Sequence, residues 1–168
     1  MKDLKIIVVS DTHMPRMAKA LPPRLKTECQ SADLIIHTGD FNTLDTVQEL
    51  GRFAPVEGVY GNADDQELTK RFPEKEIIQA GGFRIGLVHG HGKGKTTEKR
   101  ALDAFMKDDL DMIIYGHSHI PSFKTIDGVQ VLNPGSPTDK RRQKQFSFVR
   151  LTVEKEINVE FIYYDSKI

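Results

Sequence analysis

Metal-ligand side chains recur in this sequence directly after short apolar runs. Asp11 and His13 follow the first run, and His117 and His119 follow the last, each pair with one residue between its members. Both members of such a pair point to the same side of an extended segment, because side chains alternate along it. A glycine adjoins four of the candidates and permits the sharp turn that aims a side chain back over a sheet. The candidate set is Asp11, His13, Asp40, Asn62, His89, His117 and His119.

The chemistry of this set indicates two divalent metal ions. Imidazole and carboxylate ligands with one amide oxygen suit Mn, Fe, Zn, Co or Ni better than Ca or Mg, which prefer oxygen ligands. Seven ligands are too many for one tetrahedral zinc site. They match two ions ~3.5–4 Å apart that share a bridging carboxylate.

The elements that must position these residues are short strands alternating with helices. Apolar runs of this length are typical of strands buried on both faces, and ligands bind at the carboxyl ends of such strands. Apolar residues at helical spacing predict helices between them, and the tail alternates like antiparallel strands, with a hairpin turn at Asp127-Gly128. The predicted fold is α/β, a four-layer α-β-β-α sandwich with two mixed sheets flanked by helices, in one domain over residues 1–168. The strands are predicted at 4–9, 33–37, 56–60, 83–88 and 111–115, the hairpin at 123–132, the tail strands at 146–153 and 157–164, and the helices at 21–30, 44–53, 65–72 and 96–107.

Composition predicts a protein of the cytoplasm with no membrane partner. The chain has 168 residues, and its 24 basic residues equal its 24 acidic residues, which excludes a general attraction to nucleic acid or acidic membranes. Cys29 is the single cysteine, so no internal disulfide can form. The first residues do not resemble a signal peptide, and no apolar run approaches the ~20 residues that span a bilayer.

The ordered pattern Asp11-x-His13, Gly39-Asp40, Gly61-Asn62, His89 and Gly116-His117-x-His119 resembles the calcineurin-like metallophosphoesterases. The resemblance runs from residue 5 to about 136. Within the family, the sequence is more similar to the small single-domain phosphodiesterases of bacteria and archaea than to the other members. It implies a two-metal phosphodiesterase that hydrolyses small phosphodiesters by in-line attack of a metal-bridging hydroxide. It also implies two divalent metal ions per chain, with Mn as the preferred metal and Ni, Co, Zn or Fe as alternatives.

The resemblance also implies a role for each residue. The first ion would be held by Asp11, His13, Asp40 and His119. The second would be held by Asp40, Asn62, His89 and His117. Asp40 would bridge the two ions, and Asp40 and Asn62 would be catalytic. Asn62 and His91 would face the substrate, and His91 is interpreted as lying outside the metal shells.

One position departs from the family pattern. Many members have a histidine after the asparagine as proton donor to the leaving group, whereas this chain has Ala63. Loss of a general acid costs ~10²–10⁴-fold for a poor leaving group. We therefore expect diesters to be preferred over monoesters, with good leaving groups or with water or His91 as donor.

Other interpretations stay open for single residues. Asp40 could instead be a helix N-cap, Asn62 a left-handed turn residue, and Asp64 could cap the helix that follows it. His37 is interpreted as a structural histidine. The basic run Lys140–Lys144 is either a solvated loop or an electropositive rim, and it contains no aromatic residue for base stacking.

A second function class remains open beside the enzyme. The fold also serves as a protein-interaction scaffold in the related retromer subunit, so a catalytically weak metal-binding scaffold is the alternative. The glycine-rich segment 90–96 ends in Gly-Lys-Thr, as a nucleotide-binding P-loop does, but its glycines have the wrong spacing for that motif. Nucleic acid is expected only as a substrate, and a homo-oligomer could form through the C-terminal strands.

Overall fold

Two mixed five-stranded sheets form the centre of the fold in the computed structural model, which describes residues 3–168. One sheet has the strand order β10-β9-β1-β2-β3, and the other has the order β4-β5-β6-β8-β7. The strands are β1 (Leu4–Val9), β2 (Leu34–His37), β3 (Val56–Gly58), β4 (Lys75–Ala80), β5 (Phe83–Val88), β6 (Met112–Ile114), β7 (Ser122–Ile126), β8 (Val129–Asn133), β9 (Phe146–Val153) and β10 (Ile157–Tyr164). The helices are α1 (Pro23–Cys29), α2 (Leu44–Gly51), α3 (Gln66–Arg71) and α4 (Thr97–Ala104).

The buried residues form the layers that the sequence predicts. Ile6 and Val8 of β1 pack against Ile85 and Leu87 of β5 in the core between the two sheets. On the outer face of the first sheet, Ile7 and its neighbours pack with residues of α1 and α2. A further cluster joins α4 to the outer face of the second sheet. The α/β four-layer fold is therefore confirmed.

Parallel pairing brings the carboxyl ends of several strands to one edge of each sheet. β1 pairs with β2, and β2 with β3, so Val9 lies beside His37 and His37 beside Gly58. In the second sheet, β6 is parallel to β5 and to β8, with Ile114 beside both Leu87 and Leu132. The polar turns that follow these strands start from neighbouring positions.

Most predicted elements are present, with shorter helices than the apolar spacing indicates. β1, β5, β9 and β10 have the predicted bounds, and the hairpin turn falls at Asp127 and Gly128, with φ of 50° and 83°. Strand β4 was not predicted. It pairs with β5 through a two-residue turn at Gly81 and Gly82, which both have positive φ. Because β4 is an edge strand with mostly half-buried residues, its sequence lacks a continuous apolar run.

Across residues 3–168, no helix has both the length and the apolar character needed to cross a bilayer.

Candidate metal centre

Six of the seven candidate ligands lie together in two adjoining clusters. In each cluster, one ligand atom from each residue lies within 4.8 Å of the others. Residues from four separate segments therefore meet at the shared strand edge. The first cluster is Asp11, His13 and His119, and the second is Asp40, His89 and His117.

The Asp40 carboxylate lies within reach of both clusters. Its Oδ2 is 3.1 Å from His89 Nε2 and 3.5 Å from His13 Nε2. His89 Nε2 is also 3.8 Å from Asp11 Oδ1. A carboxylate in this position has the geometry that a ligand shared by two ions requires.

The first cluster has buried ligand atoms without hydrogen-bond partners. Asp11 Oδ1, His13 Nε2 and His119 Nε2 are buried, and none accepts or donates a hydrogen bond within residues 3–168. Leaving a buried polar atom unpaired costs about 1–3 kcal/mol. Three such atoms around one point, all of types that bind transition metals, fit a divalent cation.

The backbone holds two of the imidazoles with Nε2 directed at the centre. His89 Nδ1 lies 2.8 Å from the carbonyl oxygen of Thr38, and His119 Nδ1 lies 2.6 Å from that of Asp139. A carbonyl can only accept, so Nδ1 carries a proton and Nε2 is the nitrogen that can bind a metal ion once it is deprotonated. Metal-binding histidines are oriented in the same way.

Five of the six clustered residues have left-handed backbone conformations. Such conformations are rare for residues with a side chain and concentrate at functional sites, where the surrounding structure compensates for the strain. Here each of these residues turns the backbone sharply at the end of a strand and directs its own side chain across the sheet edge. The φ values are 57° for Asp11, 45° for His13, 61° for Asp40, 70° for His117 and 62° for His119.

Two glycines allow these turns to approach one another. A β-carbon at Gly61 would overlap Asp40 Oδ1, and one at Gly116 would overlap Ser10 Oγ and stand 2.8 Å from Asp11 Oδ2. Asp11 Oδ2 is fixed at this contact, because it accepts hydrogen bonds from Ser10 Oγ and His117 N, both at 2.9 Å. Larger residues at either glycine would displace a candidate ligand.

Asp64 ties the Asp40 turn to the turn that contains Asn62. Its carboxylate accepts hydrogen bonds from the backbone nitrogens of Asp40 (2.9 Å), Asn42 (2.9 Å) and Gly61 (2.8 Å). The sequence suggested a helix cap for this residue, and that interpretation is wrong. The cap of α3 is the next residue, Asp65, which accepts from the Leu68 nitrogen.

The capping alternative for Asp40 is also wrong, because the N-cap of α2 is Thr43. His37 has the contacts of a structural histidine. Its Nε2 lies 3.0 Å from Thr12 Oγ1, its Nδ1 accepts from the Gly39 nitrogen at 3.1 Å, and its ring stacks on Phe41.

Asn62 and His91 lie outside the two clusters. The Asn62 side chain is exposed, and its φ is not in the left-handed region that the turn alternative required. Its neighbour Ala63 donates a backbone hydrogen bond to Asp40 Oδ1 at 2.8 Å, so Asn62 is adjacent to the site along the chain. His91 is half-buried, and its ring centroid is 5.5 Å from that of His89. The roles of Asn62 and His91 stay predictions.

His89 lies between two carboxylates, which favour the protonated form of its imidazole. Burial by itself lowers the pKa of His89, but the Asp11 carboxylate and the hydrogen bond to Asp40 raise that pKa to about 9. Burial raises the pKa of Asp11 to about 6. Burial and repulsion from His89 lower the pKa of His117 to about 4, and burial also lowers the pKa of His13. His13 and His117 are therefore neutral at pH 7 and available as ligands.

Comparison with known proteins identifies the family. A sequence profile of the calcineurin-like phosphoesterase superfamily domain matches residues 4–156. The chain belongs to the calcineurin-like phosphoesterase superfamily. Its resemblance to these metal-dependent phosphoesterases is thereby confirmed.

Curated relatives in the superfamily come from archaea and bacteria. A probable metallophosphoesterase of Methanothermobacter thermautotrophicus is 36% identical over 136 residues, which cover 80% of this chain and 77% of the relative. A phosphodiesterase of Methanocaldococcus jannaschii is 31% identical over 147 residues, covering 79% of this chain and 83% of the relative.

Solved structures of the same fold include both an enzyme and Vps29. An archaeal phosphodiesterase has a TM-score of 0.73 at 25% identity, with 96% of this chain and all (100%) of that chain covered. Wild-type Vps29 of Entamoeba histolytica complexed with zinc has a TM-score of 0.73 at 25% identity, with 95% and 99% covered.

Proposed function

We propose that the protein is a two-metal phosphodiesterase. The observation that carries this proposal is the set of buried, unpaired ligand atoms of Asp11, His13 and His119 beside the Asp40 carboxylate. Asp11, His13 and His119 would hold one ion, His89 and His117 the other, and Asp40 both. Asn62, one residue from Gly61, is proposed as a further ligand of the second ion. The ions are proposed to be Mn, with Ni, Co, Zn or Fe as alternatives.

When bound, the two ions supply Lewis-acid stabilisation of the phosphoryl oxygens and an activated water for in-line attack. The protein's own part is to hold its ligands in place before substrate arrives. Thr38 and Asp139 fix the imidazoles of His89 and His119, and Asp64 fixes the Asp40 turn. Pre-organised ligands avoid reorganisation during the reaction, which is the main source of electrostatic catalysis.

Ala63 supports a diester substrate rather than a monoester. It occupies the position where many family members have a proton-donating histidine, and its side chain is exposed at the edge of the site. A leaving group must then depart as a stable anion or take its proton from water or His91. Diesters with good leaving groups meet this requirement, whereas alkyl monoesters do not.

Metal-stripped protein provides the test. Mn, Ni, Co, Zn or Mg is added back, and hydrolysis of bis(p-nitrophenyl) phosphate is compared with that of p-nitrophenyl phosphate. We expect metal-restored turnover of the diester to exceed turnover of the monoester. Asp40→Asn should abolish metal-restored turnover, whereas the matched control Asp45→Asn, an exposed residue in the first turn of α2, should retain it.

The similarity to Vps29 favours a second candidate, a metal-binding scaffold with weak catalysis. The same experiment separates the two. Metal bound by the wild-type protein without turnover of either ester would favour the scaffold. Equal turnover in Asp40→Asn and Asp45→Asn would contradict the assignment of the metal centre.

A further inference from the structure

A cleft lined mostly by polar residues lies beside the loop that follows Asp139. It has a volume of about 510 Å³ and is lined by Pro121, Tyr163 and the segment that includes the basic run Lys140–Lys144, which we call the basic loop. The residues that line it are Pro121, Arg142, Gln143, Lys144, Gln145 and Tyr163, and we call it the basic cleft.

Two segments that line the basic cleft are linked to His119. Pro121 follows His119 by two residues, and the loop bearing Arg142 begins after Asp139, whose carbonyl oxygen is 2.6 Å from His119 Nδ1.

The base of the basic loop is fixed. Ser136 Oγ donates to the carbonyl oxygen of Asp11 at 2.8 Å and accepts from the Asp139 nitrogen at 2.8 Å. The Lys140 ammonium lies 5.0 Å from the centre of the Phe146 ring. The loop that carries the following cations is therefore anchored beside Asp11 at its base.

The cations of the cleft are not neutralised by the protein. Arg142 and Lys144 of the cleft and the adjacent Arg141 are exposed, and none of the three forms an ion pair within residues 3–168. The Asp165 carboxylate accepts a hydrogen bond from Gln145 Nε2 at 3.2 Å rather than from one of these cations. In a chain with a formal net charge of zero, this concentration of unpaired positive charge is local. It attracts an anion of the substrate, and phosphate is the natural match for guanidinium donors.

The fold also supplies the aromatic group that the basic run lacks in sequence. Tyr163 of β10 lines the cleft and is 48% exposed, with its ring stacked on Phe161 at 5.8 Å between centroids. A half-exposed ring beside unpaired cations is the arrangement by which proteins bind a nucleoside and its phosphate together.

We propose that the basic cleft binds a second phosphate of the substrate, so the preferred substrates are phosphodiesters of the oligonucleotide type. The inference rests on the proposed phosphodiesterase function and specifies its substrate class. Arg142 and Lys144 would bind the flanking phosphate while the scissile phosphate occupies the metal centre.

Two matched substrates test this inference. Both are p-nitrophenyl diesters of thymidine 5′-phosphate, and one carries an additional 3′-phosphate. We expect the 3′-phosphorylated substrate to have a kcat/KM about tenfold higher, mainly through KM, because two partly solvated charge-assisted contacts are worth roughly that factor. This preference should shrink as ionic strength rises, since exposed charges are screened.

The double variant Arg142→Ala/Lys144→Ala should reduce the preference to less than about twofold. Lys155→Ala is the control, because this exposed lysine follows β9, at the end of the sheet where Val153 pairs with Leu4. It should retain the full preference. Equal kcat/KM for the two substrates in the wild type, or an unchanged preference in the double variant, would overturn the inference. Failure to hydrolyse bis(p-nitrophenyl) phosphate with any metal would instead overturn the proposed function.

Discussion

Replacing Gly61 with alanine is expected to disable the metal centre by displacing Asp40. The φ of Gly61 lies outside the left-handed region, so the substitution acts through its methyl group rather than through backbone strain. The methyl carbon would overlap Asp40 Oδ1 and stand 2.7 Å from the Asp40 backbone nitrogen and 2.9 Å from Asp40 Cγ, where ordinary contact begins at 3.4 Å. Both the backbone of the Asp40 turn and its carboxyl group must therefore move by at least about 0.5 Å, which disturbs the hydrogen bonds from the Ala63 nitrogen to Asp40 and from the Asp40 nitrogen to Asp64.

The size of the effect follows from this displacement. A misplacement of ~1 Å in an active site can cost ~10²-fold in rate. Loss of a partner that orients a metal ligand typically weakens metal binding by ~10–100-fold. We therefore expect kcat/KM for bis(p-nitrophenyl) phosphate to fall by ~10–100-fold, with metal binding weakened by at least ~10-fold.

Gly51→Ala is the matched control for this substitution. A β-carbon at Gly51, the last residue of α2, would meet no atom within 4 Å. Turnover and metal affinity should be retained, and stability should rise by up to ~1 kcal/mol, because alanine has the higher helix propensity. Calorimetric metal titration, steady-state hydrolysis and thermal unfolding measure these quantities. If Gly61→Ala matched Gly51→Ala in turnover and metal affinity, the role assigned to Asp40 would be refuted.

Three further predictions concern the same centre. Three backbone N–H groups donate to the two carboxylate oxygens of Asp64, and Asp64→Asn replaces one of these oxygens with an amide group that cannot accept. The substitution should therefore lower the free energy of unfolding in urea by ~1–3 kcal/mol. Asp65→Asn should lower it much less, because asparagine also caps helices well. Ala63→His should raise turnover of an alkyl phosphate monoester relative to p-nitrophenyl phosphate, whose leaving group departs as a stable anion, and the same ratio in Ala63→Gln and Ala63→His would contradict the missing-acid argument. Metal binding must displace the proton that the raised pKa of about 9 leaves on His89. Affinity measured by titration should therefore rise ~10-fold per pH unit from about pH 7 to 9 and level off above, and a flat profile would contradict that ionisation state.

The strands that carry the site were predictable because each combines a buried apolar run with an abrupt polar end. β1 and β5 have the predicted bounds for this reason, and their pairing partners follow from parallel alternation. β4 was missed because an edge strand exposes one face, so Ile77 and Ile78 stand among charged and polar neighbours. The two-residue turn at Gly81 and Gly82 was the available signal.

The sequence also predicted the types of the candidate metal ligands and their order along the chain, but it did not predict the contacts that these residues make. Six candidates meet in two clusters, whereas Asn62 remains exposed and outside both. The role of Asp64 escaped the sequence, because its three partners are backbone nitrogens brought together by tertiary folding. Tyr163 likewise reaches the basic run only through the pairing of β10 with β9.

Anomalous diffraction from crystals soaked in Mn²⁺ would locate the ions of the metal centre. We expect two peaks ~3.5–4 Å apart on either side of the Asp40 carboxylate. One peak should lie among Asp11, His13 and His119, and the other should contact His89 and His117. A single peak at full occupancy, or two peaks that do not share Asp40, would contradict the two-metal centre.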